Sequence, residues 1–179
     1  AGAHDPDLLP VQNGIRTGND LLTYSLPMGA SIQPPGAELD RSGWTVKAAS
    51  NAAGDEAANA VDGDLGTRWR SANKVKSGDW FQVDFGSPTT FDKIVMDNTA
   101  KNAFDSLAKY QVYVSDDGVN WGSAVADGSG DLKKVSITMA PQTARYVRIV
   151  ASAASFFFRW SIGDLKIYGG STGSTRSRP

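Results

Sequence analysis

The stretch KYQVYVSDDGVNW, from Lys109 to Trp121, decides most directly what fold this sequence forms. Its first half has the two-residue period of a β-strand with one buried face, since apolar and aromatic residues recur at alternate positions: Tyr110, Val112 and Val114. The Asp-Asp-Gly that follows is typical of a tight turn, because Gly accepts a positive φ and Asp hydrogen-bonds to nearby backbone. The stretch therefore predicts a β-hairpin whose first strand ends at Ser115 and whose second strand begins near Val119.

The same pattern recurs along the chain. Six further segments alternate apolar and polar residues and are rich in β-branched and aromatic side chains: WTVKAAS, WFQVDF, FDKIVMD, KKVSITM, ARYVRIVA and WSIGDLKIY. Only GDEAANAV has weak helical character, over about two turns. Seven or eight short strands without helices between them predict an all-β fold, an antiparallel β-sandwich or jelly roll. The aromatic residues of this pattern are expected in its core: Trp69, Trp80, Phe81 or Phe85, Tyr110 and Tyr146.

The strands lie within residues 38–169, and the two ends of the chain read differently. Residues 1–37 carry five of the eight prolines and two turn signals, Asn13-Gly14 and Gly18-Asn19. We expect this segment to be a leader, a linker or the tail of a preceding module. Residues 170–179 are small and polar without an apolar anchor, which predicts a flexible C-terminal linker.

The composition removes several functional classes. Eighteen basic residues against 19 acidic ones leave a net charge of −1, which argues against a bulk electrostatic grip on nucleic acid or an anionic membrane. Cysteine is absent and the single histidine is His4, so a thiol nucleophile, a Ser-His-Asp triad or a His-ligated zinc site would be very hard to build. No apolar run approaches the roughly 20 residues of a membrane span.

The stretch NAVDGDLGTRW, Asn59 to Trp69, gathers side-chain oxygens in a short turn. Asp62, Asp64 and Thr67 are interspersed with glycines that let the chain curl tightly. Two carboxylates, a hydroxyl and backbone carbonyls form the all-oxygen set that Ca²⁺ prefers. An EF-hand is a poor fit, because the twelfth position counted from Asp62 is Asn73 rather than Glu. From spacing alone, the simpler interpretation is an ordinary surface turn closed by side-chain-to-backbone hydrogen bonds.

The chain resembles a discoidin-type domain of the coagulation factor C-domain superfamily, and most of all a family 32 carbohydrate-binding module. Six segments carry the resemblance, in order: LDRSGWTVKAAS, ANAVDGDLGTRW, WFQVDFGSPTTFDKIV, YQVYVSDDGVNWGSAVADG, TARYVRIVA and WSIGDLKIYG. The resemblance implies a galactose-binding-like β-sandwich without catalytic residues, which targets a secreted polysaccharide-degrading enzyme to its glycan. The expected partners are a polysaccharide or oligosaccharide and a covalently linked catalytic module, and the expected state is a secreted, extracellular monomer that binds no nucleic acid.

The resemblance also implies a structural Ca²⁺, or in some relatives Na⁺, that joins the start and end of the sandwich. Six residues match the positions around this ion: Asn59, Asp62, Asp64, Thr67, Gly163 and Asp164. Asn59 and Gly163 would contribute their carbonyls. The family usually has Glu at the last position, and Asp164 is one methylene shorter, so direct ligation and a bridging water both stay open.

The resemblance places a glycan site in loops at one end of the sandwich. Aromatic faces and planar polar groups are the partners that sugars require. The matching candidates are Arg70, Asn73, Asn98, Lys101, Asp105, Phe156, Phe157 and Arg159. Phe156, Phe157 and Phe158 are consecutive, so in an extended segment at least one of them must be exposed.

The sequence leaves the sugar open among glucan, chitosan-like and galactose-containing polymers, although it departs from typical galactose binders at two positions. Such binders often place a His where this chain has Arg70, and an Arg where it has Asn98. Several cations would instead make this end of the domain basic, which suits an acidic or heavily hydroxylated polysaccharide: Lys74, Lys76, Lys101 and Arg159.

Two other functional classes stay open. A discoidin-type adhesion domain that binds phospholipid membrane or protein could use Phe156–Phe158 as an apolar spike, although the absence of cysteines counts against it. A glycosidase needs two carboxylates roughly 5–10 Å apart. The pairs Asp62 with Asp64 and Asp116 with Asp117 could supply them, but a turn or a metal explains each pair better.

Overall fold

A computed structural model of the protein describes residues 36–100, 105, 107–131 and 133–169. The predicted leader lies outside the described residues except at its last two positions, and so do Lys101 and residues 170–179. The three-part division of the chain therefore stays a prediction.

The described part of the chain consists of nine β-strands and one short helix. The strands are β1 (Ala37–Glu38), β2 (Thr45–Ala48), β3 (Trp69–Arg70), β4 (Trp80–Asp97), β5 (Lys109–Ser115), β6 (Ala126–Ser129), β7 (Lys134–Ala151), β8 (Ser161–Ile162) and β9 (Asp164–Gly169). The 3₁₀ helix covers Ala57–Ala60. All seven predicted strand segments are strands, but GDEAANAV forms this four-residue helix rather than two helical turns.

Two long bent strands turn one sheet into a sandwich. β4 and β7 each have 18 residues, because the segments WFQVDF and FDKIVMD, like KKVSITM and ARYVRIVA, join without a break. Their pairing register shifts between Asp84 and Thr89 and again between Phe91 and Lys93, and such irregularities bend a sheet. The first half of β4 pairs with β2 and its second half with β9, so β4 runs through both layers. The antiparallel β-sandwich is thus confirmed.

The sheet order explains how distant segments meet. The large sheet has the order β1-β9-β4-β7-β5-β6, with β2 added on β4, and a separate pair joins β3 to β8. The predicted hairpin after β5 exists, but its second strand is β6, which begins at Ala126 rather than near Val119. The Asp117 carboxylate accepts the backbone N–H groups of Val119 and Asn120, both at 2.8 Å, and so holds these residues in the turn.

Side chains from both layers form one apolar core. At its centre the rings of Trp69 and Trp160 meet edge to face, with centroids 4.9 Å apart. Of the aromatic residues predicted to be buried, four are: Trp69, Phe81, Phe85 and Tyr110. Trp80 and Tyr146 are only half-buried, because arginines cover their rings instead of the core: the Arg148 guanidinium lies 4.5 Å from the Trp80 centroid. No helix within the described residues is long and apolar enough to span a bilayer.

Candidate functional site

A shallow depression of about 730 Å³, here called the cleft, is the main candidate site. Seven residues line it: Arg70, Asn73, Lys74, Lys76, Asp105, Phe157 and Arg159. Five of them belong to the eight glycan-site candidates chosen from the sequence, and Lys74 and Lys76 were expected to make this end basic. The cleft is thus formed by residues from three separate segments of the chain.

Two loops that join through their backbones form the base of the cleft. Arg70 of β3 pairs with Ser161 of β8, and the contact continues beyond both strands. Ser71 N–H donates to the Trp160 carbonyl at 2.8 Å, and Trp160 N–H donates back to Ser71 Oγ at 3.1 Å. Val75 then donates its N–H to the Phe158 carbonyl at 3.1 Å. Because these bonds tie the loops to the sheet, the lining side chains stand on a fixed backbone.

The phenylalanine segment presents aromatic rings to solvent, as the sequence predicted. Phe156 and Phe157 are 82% and 81% exposed, and Phe158 is 39% exposed. Ser155 Oγ accepts the N–H groups of Phe157 at 3.3 Å and Phe158 at 2.9 Å, which fixes the turn that exposes them. Phe157 lines the cleft, whereas Phe156 does not. Phe157 therefore places an exposed aromatic ring at the cleft.

A series of connected ion pairs supports the polar side of the cleft. Arg70 Nε lies 2.8 Å from Asp55 Oδ2, at an angle that makes an ion pair rather than an aligned hydrogen bond. Arg68 bridges Asp55 and Asp105, at 3.6 and 3.5 Å. The Asp105 carbonyl accepts both the N–H and the hydroxyl of Ser161 at 2.9 Å. These contacts fix the positions of Arg70 and Asp105.

Sequence reasoning missed two residues of this series of ion pairs, Arg68 and Asp55. Arg68 is part of the TRW motif and could have been suspected from its neighbour Arg70. Asp55 carries no signal in the sequence, since only the folded chain brings its carboxylate against both arginines.

Asn98 corrects the expectation that it contacts glycan. Its side chain is buried, with 6% exposure. Its amide donates to the Ser161 carbonyl at 2.7 Å and accepts the Gly163 N–H at 2.7 Å. Both hydrogen-bonding groups are thus used to hold the end of β4 against β8, so Asn98 supports the fold instead of lining the cleft. Lys101, predicted from the same loop, lies outside the described residues.

The turn of residues 59–67 brings together four of the six predicted cation ligands. Thr67 Oγ1 lies 2.7 Å from Asp62 Oδ2, 2.9 Å from the Asp64 carbonyl and 3.4 Å from the Asn59 carbonyl. Asp64 faces Thr67 with its carbonyl, and one of its carboxylate oxygens accepts the Gly66 N–H at 2.7 Å. This all-oxygen group has the chemistry of a hard-cation site.

Of the other two predicted ligands, the Asp164 carboxylate is engaged elsewhere, and the Gly163 carbonyl stays a prediction. The Asp164 carboxylate pairs with Arg41, whose guanidinium also donates to the Leu165 carbonyl at 3.3 Å, and with Lys166 Nζ at 3.4 Å. The negative charge of Asp164 and, to a lesser extent, that of Glu38 raise the pKa of Lys166. Gly163 is held by its N–H, which donates to the Asp97 carbonyl at 3.0 Å.

The residues present therefore fit a cation at the turn itself. Arg41 and Asp62 line one shallow depression, so the partner of Asp164 lies beside the turn. No group of three or more histidine or acidic side chains within the described ranges is placed to hold a metal. A cation would depend on the carbonyl and hydroxyl oxygens of the turn together with the Asp62 carboxylate.

The Asp116–Asp117 pair, considered above as a possible catalytic pair, has a structural use. Asp117 accepts backbone N–H groups of Asn120 and Val119, and further bonds from the Asn120 amide and the Ser115 hydroxyl. These hydrogen bonds hold the pKa of Asp117 far below its usual value. The carboxylate therefore closes the turn after β5.

Comparison with known proteins assigns the fold to a family. The family model of the F5/8 type C domain matches residues 45–162. The chain belongs to the F5/8 type C domain family. Over 143 residues it is 30% identical to galactose oxidase of Gibberella zeae, a match that covers 75% of this chain and 21% of that protein. The chain thus spans about a fifth of the length of this curated relative.

Solved structures that are similar to this chain include carbohydrate-binding modules. One is chitosan-binding module 1 of a chitosanase/glucanase from Paenibacillus sp. IK-5, with 31% identity and a TM-score of 0.61 over 71% of this chain and 96% of that one. Another is a family 32 carbohydrate-binding module of Clostridium perfringens in complex with galactose, with 23% identity and a TM-score of 0.63 over 73% and 97% of the two chains. At this identity the second likeness shows the fold alone.

Proposed function

We propose that this F5/8 type C domain is a non-catalytic carbohydrate-binding module. The observation that carries the proposal is the cleft, which the exposed ring of Phe157 lines together with the polar groups of Arg70 and Asp105. An aromatic face with convergent hydrogen-bonding groups is the arrangement that sugar binding requires. The chitosan-binding relative, which has this fold at 31% identity, supports the proposal.

The biological role follows from the relatives as a further proposal. Galactose oxidase is much longer than the match, and the chitosan-binding module derives from a chitosanase/glucanase. We therefore infer that the domain is covalently linked to a catalytic module of a secreted, extracellular enzyme and targets it to a glycan. A shallow site binds weakly, with Kd on the order of 1 µM to 1 mM. Such binding is sufficient, because tethering raises the local substrate concentration for the enzyme.

A structural Ca²⁺ at the 59–67 turn is part of the proposal. Asp62, Thr67 and the carbonyls of Asn59 and Asp64 would hold the ion, while Asp164 stays paired with Arg41. The ion would stiffen the turn that leads into β3 and Arg70, and it takes no part in glycan chemistry.

A binding screen against soluble and insoluble polysaccharides tests the proposed function. We expect binding to at least one glycan and a loss of affinity of about tenfold in Phe157→Ala, equivalent to about 1.4 kcal/mol. Phe156→Ala is the matched control, because its ring is equally exposed but does not line the cleft. Absence of binding to every glycan, or hydrolysis of a glycan by this chain alone, would contradict the proposal.

The two exposed rings also favour a second candidate, an adhesion domain that inserts Phe156 and Phe157 into a phospholipid surface. Cosedimentation with anionic liposomes separates the two functions. In that case Phe156→Ala and Phe157→Ala would weaken liposome binding alike, and no glycan would compete.

A further inference from the structure

We propose that the cleft selects glycans that carry negative charge, such as polymers with carboxylate or sulfate groups. This inference rests on the proposed function, since it names the class of glycan that the same site takes. Four of the seven lining residues are cations and only Asp105 is acidic. The whole chain has a net charge of −1, so the positive charge of the cleft is local.

The fold places the two lysines at the rim of the cleft. Val75, between them, is buried with 1% exposure, and its N–H and carbonyl bond to Phe158 and Ser155 at 3.1 and 2.9 Å. Because Val75 is fixed in the core, its neighbours Lys74 and Lys76 stand on the outer side of a fixed backbone. Neither lysine forms an ion pair with any other described residue, and both are exposed.

Two acidic groups next to the cleft are paired with arginines, and a third, Asp79, accepts the backbone N–H of Lys76 at 2.8 Å. Asp105 contacts Arg68, and Asp55 contacts both Arg68 and Arg70. The ion pair of Arg70 uses its Nε, and no ion pair within the described ranges uses its two terminal nitrogens. A guanidinium oriented in this way matches the two oxygens of a carboxylate or sulfate group. The net charge offered to a ligand is therefore positive.

This charge distinguishes the chain from a relative of the same fold. Chitosan, which the Paenibacillus module binds, is a polymer of amino sugars that carries positive charge when protonated. A cleft with a net positive charge repels such a polymer and attracts an anionic one. We therefore expect chitosan to be a poor ligand despite the 31% identity.

Pairs of polymers that differ only in charge provide the test. Polygalacturonate is compared with its fully methyl-esterified form, and a sulfated galactan is compared with the same galactan after desulfation. Isothermal titration calorimetry should show at least about tenfold tighter binding to the charged member of one pair, and which pair responds identifies carboxylate or sulfate. Raising the salt concentration from 20 to 300 mM should remove most of this preference.

A charge-matched pair of double variants shows whether the cleft is responsible. Lys74→Ala with Lys76→Ala should lower affinity for the charged polymer about tenfold. Lys47→Ala with Lys133→Ala removes the same charge from exposed positions outside the cleft and should change affinity less than twofold. An equal loss in both variants would mean that binding follows bulk charge, which overturns the proposal.

The remaining outcomes separate this inference from the proposed function. Equal affinity for both members of each pair, or a preference for chitosan, would refute the inference and leave a carbohydrate-binding module. Absence of binding to any polymer, charged or neutral, would refute both.

Discussion

The cleft and the 59–67 turn are both polar surfaces next to β3, yet they use their polar groups in opposite ways. In the turn, Asp62, Asp64 and Thr67 contact oxygens or N–H groups of the turn itself, within a few residues along the chain. In the cleft, backbone hydrogen bonds join loops that lie 89 residues apart along the chain, as from the Ser71 N–H to the Trp160 carbonyl. No residue in the described part of the chain forms an ion pair with the charged ends of Lys74, Lys76 or Arg159.

This difference distinguishes the proposed structural site from the proposed recognition site. A turn whose oxygens converge on one point can hold a small cation, and binding of the cation then stabilises the folded state. When the backbone hydrogen bonds of a surface loop are made to the part of the fold beneath it, its side chains can be exchanged without changing the fold. If the proposed preference holds, relatives of one family share a scaffold and bind glycans of different charge. The predictions below test this separation, from the largest expected effect to the smallest.

Removing the ring beneath the cleft should have the largest effect. Trp160 is 1% exposed and packs against Trp69, so Trp160→Ala should lower the free energy of unfolding by about 3–5 kcal/mol. Urea denaturation followed by tryptophan fluorescence or circular dichroism measures it. Phe157→Ala, in the exposed part of the same loop, should change stability by less than about 0.5 kcal/mol. A small effect of Trp160→Ala would mean that the cleft does not depend on the core.

Removing calcium should destabilise the domain without altering the cleft. A ligand bound only by the folded state at 100 times its Kd contributes about 2.7 kcal/mol. For a domain of this size, a chelator should then lower the melting temperature by roughly 5–10 °C. Affinity for glycan, measured at a temperature where the apo domain stays folded, should be unchanged.

Asp62→Ala should start at the lower melting temperature and no longer respond to chelator. Asp116→Ala is the control, since it removes an exposed carboxylate from a different turn and should keep the full response. If the wild-type melting curve is insensitive to chelator, the turn is an ordinary turn and the calcium proposal fails.

Two asparagines offer a direct comparison between fold and recognition. Asn98→Ala leaves the buried Ser161 carbonyl and Gly163 N–H without their amide partner, at a cost of about 2 kcal/mol. Asn73→Ala removes an exposed side chain of the cleft, so stability should hold within about 0.5 kcal/mol while glycan affinity falls. Thermal denaturation and titration of both variants give the two effects. A loss of stability in Asn73→Ala, together with unchanged stability and reduced glycan affinity in Asn98→Ala, would contradict these roles.

The smallest expected effect concerns a salt bridge outside both regions. Hydrogen bonds from Arg145, which outweigh the opposing effect of burial, lower the pKa of Asp84. Because the folded pKa lies below the unfolded value of about 3.9, the pair stabilises the fold above that pH and loses its contribution as pH falls through the lower folded value. Its contribution is under about 1 kcal/mol, since Arg145 is 41% exposed.

Unfolding of the wild type and of Asp84→Asn, compared from pH 6 to pH 2.5, measures this contribution. The two stability curves should draw together as the pH falls through the lowered folded pKa of Asp84. A constant difference across the range would mean that packing, rather than charge, accounts for the effect of the substitution.

The sequence by itself determined the strands, the turn and the exposed aromatic segment. Each of these follows from neighbours in the chain: a two-residue period in KYQVYVS, oxygens spaced for a tight curl at Asp62 and Asp64, and three phenylalanines that cannot share one face. The same local signals, together with the resemblance, placed five residues that the structure brings to the cleft.

Only the tertiary structure decided which polar groups are available to a ligand. Asn98 is a candidate by position in its loop, yet its amide is used by Ser161, 63 residues away. Asp164 is a candidate cation ligand by its motif, yet Arg41, 123 residues away, takes its carboxylate. Only the tertiary structure, likewise, shows that strand segments join into β4 and β7 and that Asp55 lies beneath the cleft. Local patterns determine which hydrogen-bonding groups a residue offers, but long-range contacts decide whether those groups are already used within the fold.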